Sequence, residues 1–184
     1  MEYVCEKVLN EEDLLFLNYT SNSASWEKIY QHFNIFGADM ARTFNELVVL
    51  DPIVEKFRKH LRLDDNVKDV RYFLNYGQGS FARIHHDVKT IFTIITLIET
   101  VDLTGGETIV LTPYVRPPEG RSASLLCKRN DNEKDNPPYN KHIIPSVVRS
   151  EVGDSMIYGS NLRHGVSQVV KGSRKVFVTW FMKE

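Results

Sequence analysis

Two side chains that can bind metal stand two residues apart in the stretch Y-G-Q-G-S-F-A-R-I-H-H-D, which runs from residue 76 to residue 87. This stretch predicts a tight turn followed by a strand, and residues two apart in a strand point to the same face. His85 and Asp87 would then lie side by side, with His86 facing the other way. An imidazole and a carboxylate placed in this way can share one metal ion.

A third ligand is expected from a distant histidine that folding brings close, and we predict His164 in N-L-R-H-G-V. Two histidines and one carboxylate occupy one face of an octahedral metal and leave open positions, an arrangement typical of non-haem Fe(II) oxygen chemistry. The H-x-D spacing by itself is common in any chain. The prediction therefore depends on the pattern around it, including Gly105-Gly106 before a later strand.

Arg174 follows His164 by ten residues, and Lys171-Gly172-Ser173 between them predicts a hairpin turn joining two strands. A returning strand would bring Arg174 back beside the histidine on the wall of a barrel. A buried guanidinium needs an anion, so the far carboxylate of a dicarboxylate co-substrate could bind there. The alternative is a surface arginine that flanks a turn.

Three helices are expected in the first third of the chain. Residues 10–18, N-E-E-D-L-L-F-L-N, place acidic groups ahead of an apolar stripe. Residues 23–33, S-A-S-W-E-K-I-Y-Q-H-F, show helical spacing with Ser23 or Ser25 as the cap, and D-P-I-V-E-K-F from residue 51 has proline in its first turn.

From residue 68 onward the period becomes strand-like. The candidate strands cover residues 70–76, 81–87, 91–99, 107–111, 154–159, 164–170 and 175–181, with weaker candidates at 122–127 and 142–148. Many short strands without intervening helices favour a sandwich or closed barrel. We predict a mainly β (α+β) fold, a double-stranded β-helix or jelly roll with amino-terminal helices.

The length of 184 residues suits one domain, 1–184. Within it we expect helical support over residues 1–66 and a jelly-roll core over 67–184. Six of the seven prolines lie between Pro113 and Pro145, so residues 112–145 are expected to leave the core as a loop. That loop is either a lid at the mouth of the barrel or a solvated excursion.

The composition of the chain bears on whether it binds nucleic acid, whether it spans a membrane and which compartment it occupies. A formal net charge of -1 provides no general positive field, which disfavours nucleic acid. The longest apolar run, residues 91–98, is far short of the ~20 residues of a membrane span. The amino terminus lacks a secretory pattern and the two cysteines are far apart, so a reducing cytoplasm is expected.

The order of these features resembles the Fe(II)/2-oxoglutarate-dependent oxygenase superfamily, and within it the prolyl 4-hydroxylase-like branch. The similarity covers roughly residues 48 to 182. The positions that carry it are Tyr76, Gly79, His85, Asp87, Thr93, Gly105, Gly106, Glu107, Thr108, Gly153, Asp154, His164, Gly165, Val166, Gly172, Arg174, Trp180 and Phe181.

This resemblance implies that His85, Asp87 and His164 bind Fe(II), and that 2-oxoglutarate binds the metal and reaches Arg174. It also implies that Tyr76 hydrogen-bonds the co-substrate. Thr93, on a strand whose residues 93, 95 and 97 share a face, is a further candidate contact.

The implied reaction uses O2, converts 2-oxoglutarate to succinate and hydroxylates a C–H bond, with ascorbate as a candidate accessory reductant. A protein or peptide residue is the expected substrate, with a free amino acid or other small molecule as the alternative. A nucleic-acid demethylase and a metal- and 2-oxoglutarate-binding sensor without catalysis are the remaining alternatives.

The sequence departs from the branch at two positions. Ala82 stands where many members that act on peptidyl proline have a tyrosine, and Arg174 replaces the lysine that is usual in collagen-type enzymes. Arginine keeps the charge and changes the hydrogen-bond geometry. Arg83, next to Ala82, is a candidate contact for an acidic substrate, the alternative being a surface arginine.

Overall fold

The computed structural model describes residues 3–28, 35–36, 40–43, 47–113 and 143–182. The expected 112–145 loop falls outside these residues apart from its ends, which belong to strands. The weak strand candidate at 122–127 also falls outside them. No helix in the described part of the chain is long and apolar enough to cross a membrane.

Among the described residues of the first third of the chain there are two α-helices, α1 at Glu11–Ser23 and α2 at Asp51–Leu61. Asn10 and Asp13 cap each other's backbone at the start of α1, which fixes where that helix begins. Pro52 occupies the first turn of α2, as its sequence predicts. A 3-10 turn at Val48–Leu50 precedes α2.

Twelve strands are present in the described residues. They are β1 Tyr3–Glu6, β2 Trp26–Lys28, β3 Ile35–Phe36, β4 Met40–Thr43, β5 Asp69–Tyr76, β6 Phe81–His85, β7 Thr90–Gly105, β8 Thr108–Pro113, β9 Ile143–Val148, β10 Ser155–Gly159, β11 Arg163–Val166 and β12 Val169–Met182.

These strands form two antiparallel sheets. The larger has the order β1-β10-β7-β12-β5-β4-β2, and the smaller has the order β3-β6-β11-β8-β9. Side chains from both sheets meet in shared apolar clusters, as where Ala82 and Val166 of the smaller sheet pack with Val176 and Val178 of the larger. The predicted jelly-roll core is therefore confirmed.

The larger sheet is covered on its outer face by the two helices. Phe57 of α2 stacks on Phe177 of β12 with ring centroids 6.4 Å apart, and Phe73 of β5 lies 5.1 Å from the same ring. Lys56 of α2 donates to both carboxylate oxygens of Asp13 of α1 at 2.7 Å. This face is a second core, and it holds the larger sheet against the helices.

Side chains alternate between these two cores along each strand of the larger sheet. In β7, Ile94 and Ile98 belong to the helix-side core, whereas Leu97 packs between the sheets together with Ile95. In β12, Phe177 and Phe181 face the helices. The alternation decides which polar residues enter the space between the sheets.

Two local predictions are wrong. The helix expected within residues 23–33 is replaced at Trp26–Lys28 by β2, because these three residues pair with β4. Residues 1–66, which were expected to be helical, therefore contain four strands, β1 to β4, in addition to the two helices. The remainder of the expected helix, residues 29–33, lies outside the described residues.

The predicted hairpin at Lys171-Gly172-Ser173 is the second error. β12 runs without interruption from Val169 to Met182, and the register with β7 shifts beside Gly172. Gly172 has φ +75, and a Cβ there would lie 2.0 Å from the carbonyl oxygen of Val101. The glycine therefore accommodates an irregularity within a strand and does not form a turn.

Candidate active site

β6 and β11 are neighbours in the smaller sheet and carry the two candidate histidines directly opposite each other. His164 pairs with His85, and Val166 pairs with Ala82. Two residues of β6 therefore lie opposite one residue of β11, which is a β-bulge. Because of this extra residue, Ala82 and His85 can face the same interior although they stand three positions apart.

Asp87 lies two residues beyond the end of β6 and not within the predicted strand. The loop is held by Thr90, whose hydroxyl donates to the carbonyl oxygen of Asp87 at 3.1 Å. Asp87 Oδ1 lies 3.8 Å from His85 Nε2, and Asp87 Oδ2 lies 3.9 Å from His164 Nε2. His86 is exposed and is not part of this group.

His85, Asp87 and His164 are a group that could hold a metal ion, with their ligand atoms within 4.8 Å of one another. Zinc bonds to nitrogen and oxygen are about 2.1 Å, so two such bonds span at most about 4.2 Å. One ion can therefore bridge Asp87 to either histidine at the observed separations. Mixed imidazole and carboxylate ligands suit iron.

Both histidines are held in the tautomer that a metal requires. Nδ1 of His85 lies 2.7 Å from the carbonyl oxygen of Arg83, and Nδ1 of His164 lies 3.1 Å from that of Leu162. A carbonyl oxygen can only accept, so Nδ1 carries the proton and Nε2 presents its lone pair towards Asp87.

Electrostatics keep His164 neutral. Burial lowers its pKa to about 4, and the neighbouring charge of Asp87 only partly opposes this effect. At neutral pH the ring is therefore an available ligand and not an imidazolium.

Thr93 of β7 faces the space between the sheets, and its hydroxyl donates to Asp87 Oδ2 at 2.7 Å. Its only hydroxyl proton is thus committed to the carboxylate. This contact suggests that Thr93 orients Asp87, a different role from the co-substrate contact expected from the sequence.

Arg174 of β12 is 5% exposed and lies between the sheets, directly opposite Tyr76 of β5. Its guanidinium carbon is 5.5 Å from the centre of the Tyr76 ring. Nη1 donates to the carbonyl oxygen of Gly106 and, at 3.3 Å, to Thr108 Oγ1. Burial lowers the pKa of this guanidinium.

Part of the hydrogen-bonding capacity of Arg174 is unused. Its buried Nε has no partner, and no ion pair links Arg174 to a carboxylate among the described residues. A cavity of about 460 Å³ reaches Arg174 and is also lined by Thr100, Thr104, Thr108 and Arg149. A carboxylate would fit this buried, incompletely satisfied guanidinium.

The charges of both Arg174 and Asp87 act on the phenol of Tyr76. Burial raises its pKa to about 12, the charge of Arg174 lowers it, and the charge of Asp87 raises it. The phenol therefore stays protonated and lies within electrostatic range of the arginine and of the metal-binding group. A ligand that extends from one to the other would pass it.

Tyr158 of β10 is a site residue that sequence reasoning missed. Its hydroxyl donates to Asp87 Oδ2 at 3.1 Å and lies 2.9 Å from His164 Nε2. The available signal was strand alternation, which places Met156 and Tyr158 on one face of β10. Arg83, by contrast, is exposed, and its carbonyl oxygen lies next to His85 Nδ1.

The sequence matches no protein-family model and no curated protein. Solved structures do match. An oxidoreductase of the 2OG-Fe(II) oxygenase family from Burkholderia pseudomallei superposes with a TM-score of 0.65 at 13% identity, covering 100% of this chain and 86% of that one. The chain has the fold of the 2-oxoglutarate- and Fe(II)-dependent oxygenases.

Two further structures share this fold. A Pseudomonas putida prolyl-4-hydroxylase gives a TM-score of 0.62 at 10% identity, with 100% of this chain and 93% of that one covered. The non-haem alpha-ketoglutarate-dependent epimerase SnoN from nogalamycin biosynthesis gives a TM-score of 0.64 at 12% identity, and the match covers 99% of this chain and 78% of that one. At identities of 10–13%, these similarities show a shared fold, and the chemistry depends on the residues of the site.

Proposed function

We propose that the protein is an Fe(II)- and 2-oxoglutarate-dependent dioxygenase that hydroxylates a C–H bond of a protein or peptide residue. The observation that supports this proposal is that the space between the two sheets holds both a group of metal ligands and a buried guanidinium with an unsatisfied donor. His85, Asp87 and His164 present three ligand atoms, and Arg174 presents a buried guanidinium that has no carboxylate partner among the described residues.

Each of these residues has a defined task. His85 and His164 supply Nε2 and Asp87 supplies a carboxylate oxygen to the metal, while Arg174 and Tyr76 bind the distal carboxylate of 2-oxoglutarate. When bound, the metal and co-substrate supply the activation of O2, with succinate and carbon dioxide as products. Thr93 orients Asp87.

The apolar side chains between the two ends exclude water. Val176 and Val178 of β12, together with Leu97 of β7, are buried in the cluster that contains Tyr76. A low dielectric strengthens the pairing of the guanidinium with a carboxylate.

The substrate class is supported by the fold comparisons and by charge. The similar structures include a prolyl-4-hydroxylase, which favours a peptide, and an epimerase, which keeps a small molecule as the alternative. A net charge of -1 gives no support to a nucleic-acid substrate. Mass spectrometry of peptides and free amino acids incubated with the protein should show the gain of one oxygen atom in one class.

The reaction class is tested by succinate formation from 2-oxoglutarate. We expect turnover only with Fe(II) and O2, and a loss of about 10²-fold or more in Asp87→Ala and His164→Ala, because the remaining two ligands bind the metal weakly. His86→Ala is the matched control. It removes an exposed histidine between two proposed ligands and should retain full turnover.

Two outcomes would contradict the proposal. Turnover that persists in both ligand variants would place the reaction elsewhere. A wild-type protein that binds iron tightly and never consumes oxygen would instead be a sensor without catalysis.

A further inference from the structure

Tyr158 lies where its hydroxyl touches two of the three proposed ligands. It is 2% exposed and stands opposite Thr93 in the pairing of β10 with β7. Thr93 and Tyr158 both donate to Asp87 Oδ2, at 2.7 Å and 3.1 Å. Oδ1 of the same carboxylate faces His85 Nε2 at 3.8 Å and accepts no hydrogen bond within the described residues.

The two oxygens of Asp87 therefore differ in their surroundings. Oδ2 accepts two hydrogen bonds from side chains that the larger sheet holds in place, so its lone pairs are largely used. Oδ1 remains available. A metal ion that binds His85 will meet Oδ1 first.

The single hydroxyl proton of Tyr158 has two possible acceptors. His164 Nε2 lies 2.9 Å away and can accept, because Nδ1 of that ring is bonded to the carbonyl oxygen of Leu162. Once a metal occupies the Nε2 lone pair, only Asp87 remains as an acceptor.

We propose that Tyr158 is a positioning residue of the metal centre. Together with Thr93 it holds Asp87 Oδ2, so that Asp87 binds the metal through Oδ1 alone and a coordination position stays open. Before the metal arrives, its single hydroxyl proton can go either to Asp87 Oδ2 or to His164 Nε2. This inference rests on the proposed function, because it assigns a role to Tyr158 in the same site.

The variant that tests it is Tyr158→Phe, which removes the hydroxyl and keeps the buried ring. We expect Mn(II) to bind about 10- to 100-fold more weakly by isothermal titration calorimetry, the usual effect of removing a group that orients metal ligands. The Co(II) absorption spectrum, which reports coordination number, should change as Asp87 becomes free to bind through both oxygens. Unchanged affinity with an unchanged spectrum would overturn the proposal.

Tyr3→Phe is the matched control. Tyr3 pairs with Tyr158 across β1 and β10 and packs against the same cluster, and its hydroxyl makes no contact with a proposed ligand. We expect wild-type affinity and spectrum. Thermal unfolding of both metal-free variants shows whether they are folded, and an equal loss of affinity in Tyr3→Phe would contradict a specific role for Tyr158.

A double-mutant cycle with Thr93→Val shows whether Tyr158 acts through Asp87. Because both hydroxyls are needed to hold Oδ2, either single variant already frees the carboxylate, and the double variant should lose less affinity than the product of the two single losses. Independent losses would overturn the mechanism. The proposed function fails separately if the wild-type protein binds Mn(II) at this site but forms no succinate with Fe(II) and O2, whereas a wild-type protein that binds no metal overturns both proposals.

Discussion

At the scale of single residues, Arg174 is unusual because it is a buried arginine that forms no ion pair with a carboxylate of the described residues. A buried arginine is normally paired with a carboxylate. Arg174 instead rests against the Tyr76 ring, bonds neutral oxygens of Gly106 and Thr108, and leaves Nε without a partner. Burying such a charged group destabilises the folded protein unless a ligand supplies the missing hydrogen-bond acceptor.

Replacing this arginine should affect the co-substrate more than the fold. Charge-assisted hydrogen bonds contribute about 1.5–3 kcal/mol, so Arg174→Gln should raise the KM for 2-oxoglutarate about tenfold or more. Steady-state succinate formation measures this effect. Arg149→Gln removes an exposed arginine from the lining of the same cavity and should leave the KM unchanged. Equal KM values for wild type and Arg174→Gln would contradict the assignment.

The sequence anticipated residues whose chemical type is distinctive. His85, Asp87 and His164 are predictable because imidazoles and a carboxylate suit a metal, and the structure brings them together. Tyr158 was missed because tyrosines are common in strands. Only the pairing of β10 with β7 shows that this tyrosine points at Asp87 and does not face the helices.

At the scale of secondary-structure elements, the site depends on how closely β6 approaches β11. Gly165 lies opposite the bulge of β6, and a Cβ there would be 2.7 Å from the carbonyl oxygen of Ala82 and 3.0 Å from Ile84 Cδ1. A strand with any larger residue would have to move away. That movement would separate the rings of His85 and His164, whose centroids are 4.4 Å apart.

Gly165→Ala should therefore weaken metal binding, by about tenfold or more, through displacement of β6. Mn(II) titration measures the loss, and circular dichroism checks the fold. Gly159→Ala is the control, because a Cβ there would meet only the carbonyl oxygen of Ile91, at an ordinary 3.7 Å. Metal affinity unchanged by Gly165→Ala would show that the approach of these strands is not needed.

Element predictions succeeded where the local pattern and the tertiary pairing agree. α2 begins as its Asp51-Pro52 start predicts, and β5, β7 and β12 contain the predicted strands. The helix expected within residues 23–33 failed at Trp26, because pairing with β4 outweighs a helical spacing of apolar residues. The sequence also cannot distinguish a glycine in a turn from one at an irregular strand position, as with Gly172.

At the scale of the whole molecule, the two-sheet architecture buries ionisable groups that would be charged in an unfolded chain. His164 is the clearest case, since burial lowers its pKa from 6.5 to about 4. The unfolded chain therefore takes up a proton at a higher pH than the folded chain. Folding stability must then decrease on acidification.

The free energy of unfolding of the metal-free protein should fall as the pH drops from about 6.5 to about 4, and this contribution should then level off. Urea unfolding across this range measures it. His164→Gln should lessen the dependence, whereas His60→Gln, which removes an exposed histidine bonded to Glu6, should keep it. The same pH dependence in His164→Gln as in wild type would contradict burial as its cause.

The overall architecture was the most predictable level. Short strands without intervening helices after residue 68 indicated a jelly roll, and helices before them indicated a covering layer. The amino-terminal strands were not foreseen, because β1, β2, β3 and β4 are short edge or near-edge strands with little alternation. Their pairing depends on partners far away in the sequence.

The central claim is that one interior holds a metal at His85, Asp87 and His164 and a dicarboxylate at Arg174. A crystal structure of the protein with Mn(II) in place of Fe(II) and with 2-oxoglutarate tests this most directly. We expect the metal bonded to Nε2 of both histidines and to Asp87 Oδ1, with the distal carboxylate on the Arg174 guanidinium. A metal bound elsewhere, or 2-oxoglutarate outside the space between the sheets, would contradict the account.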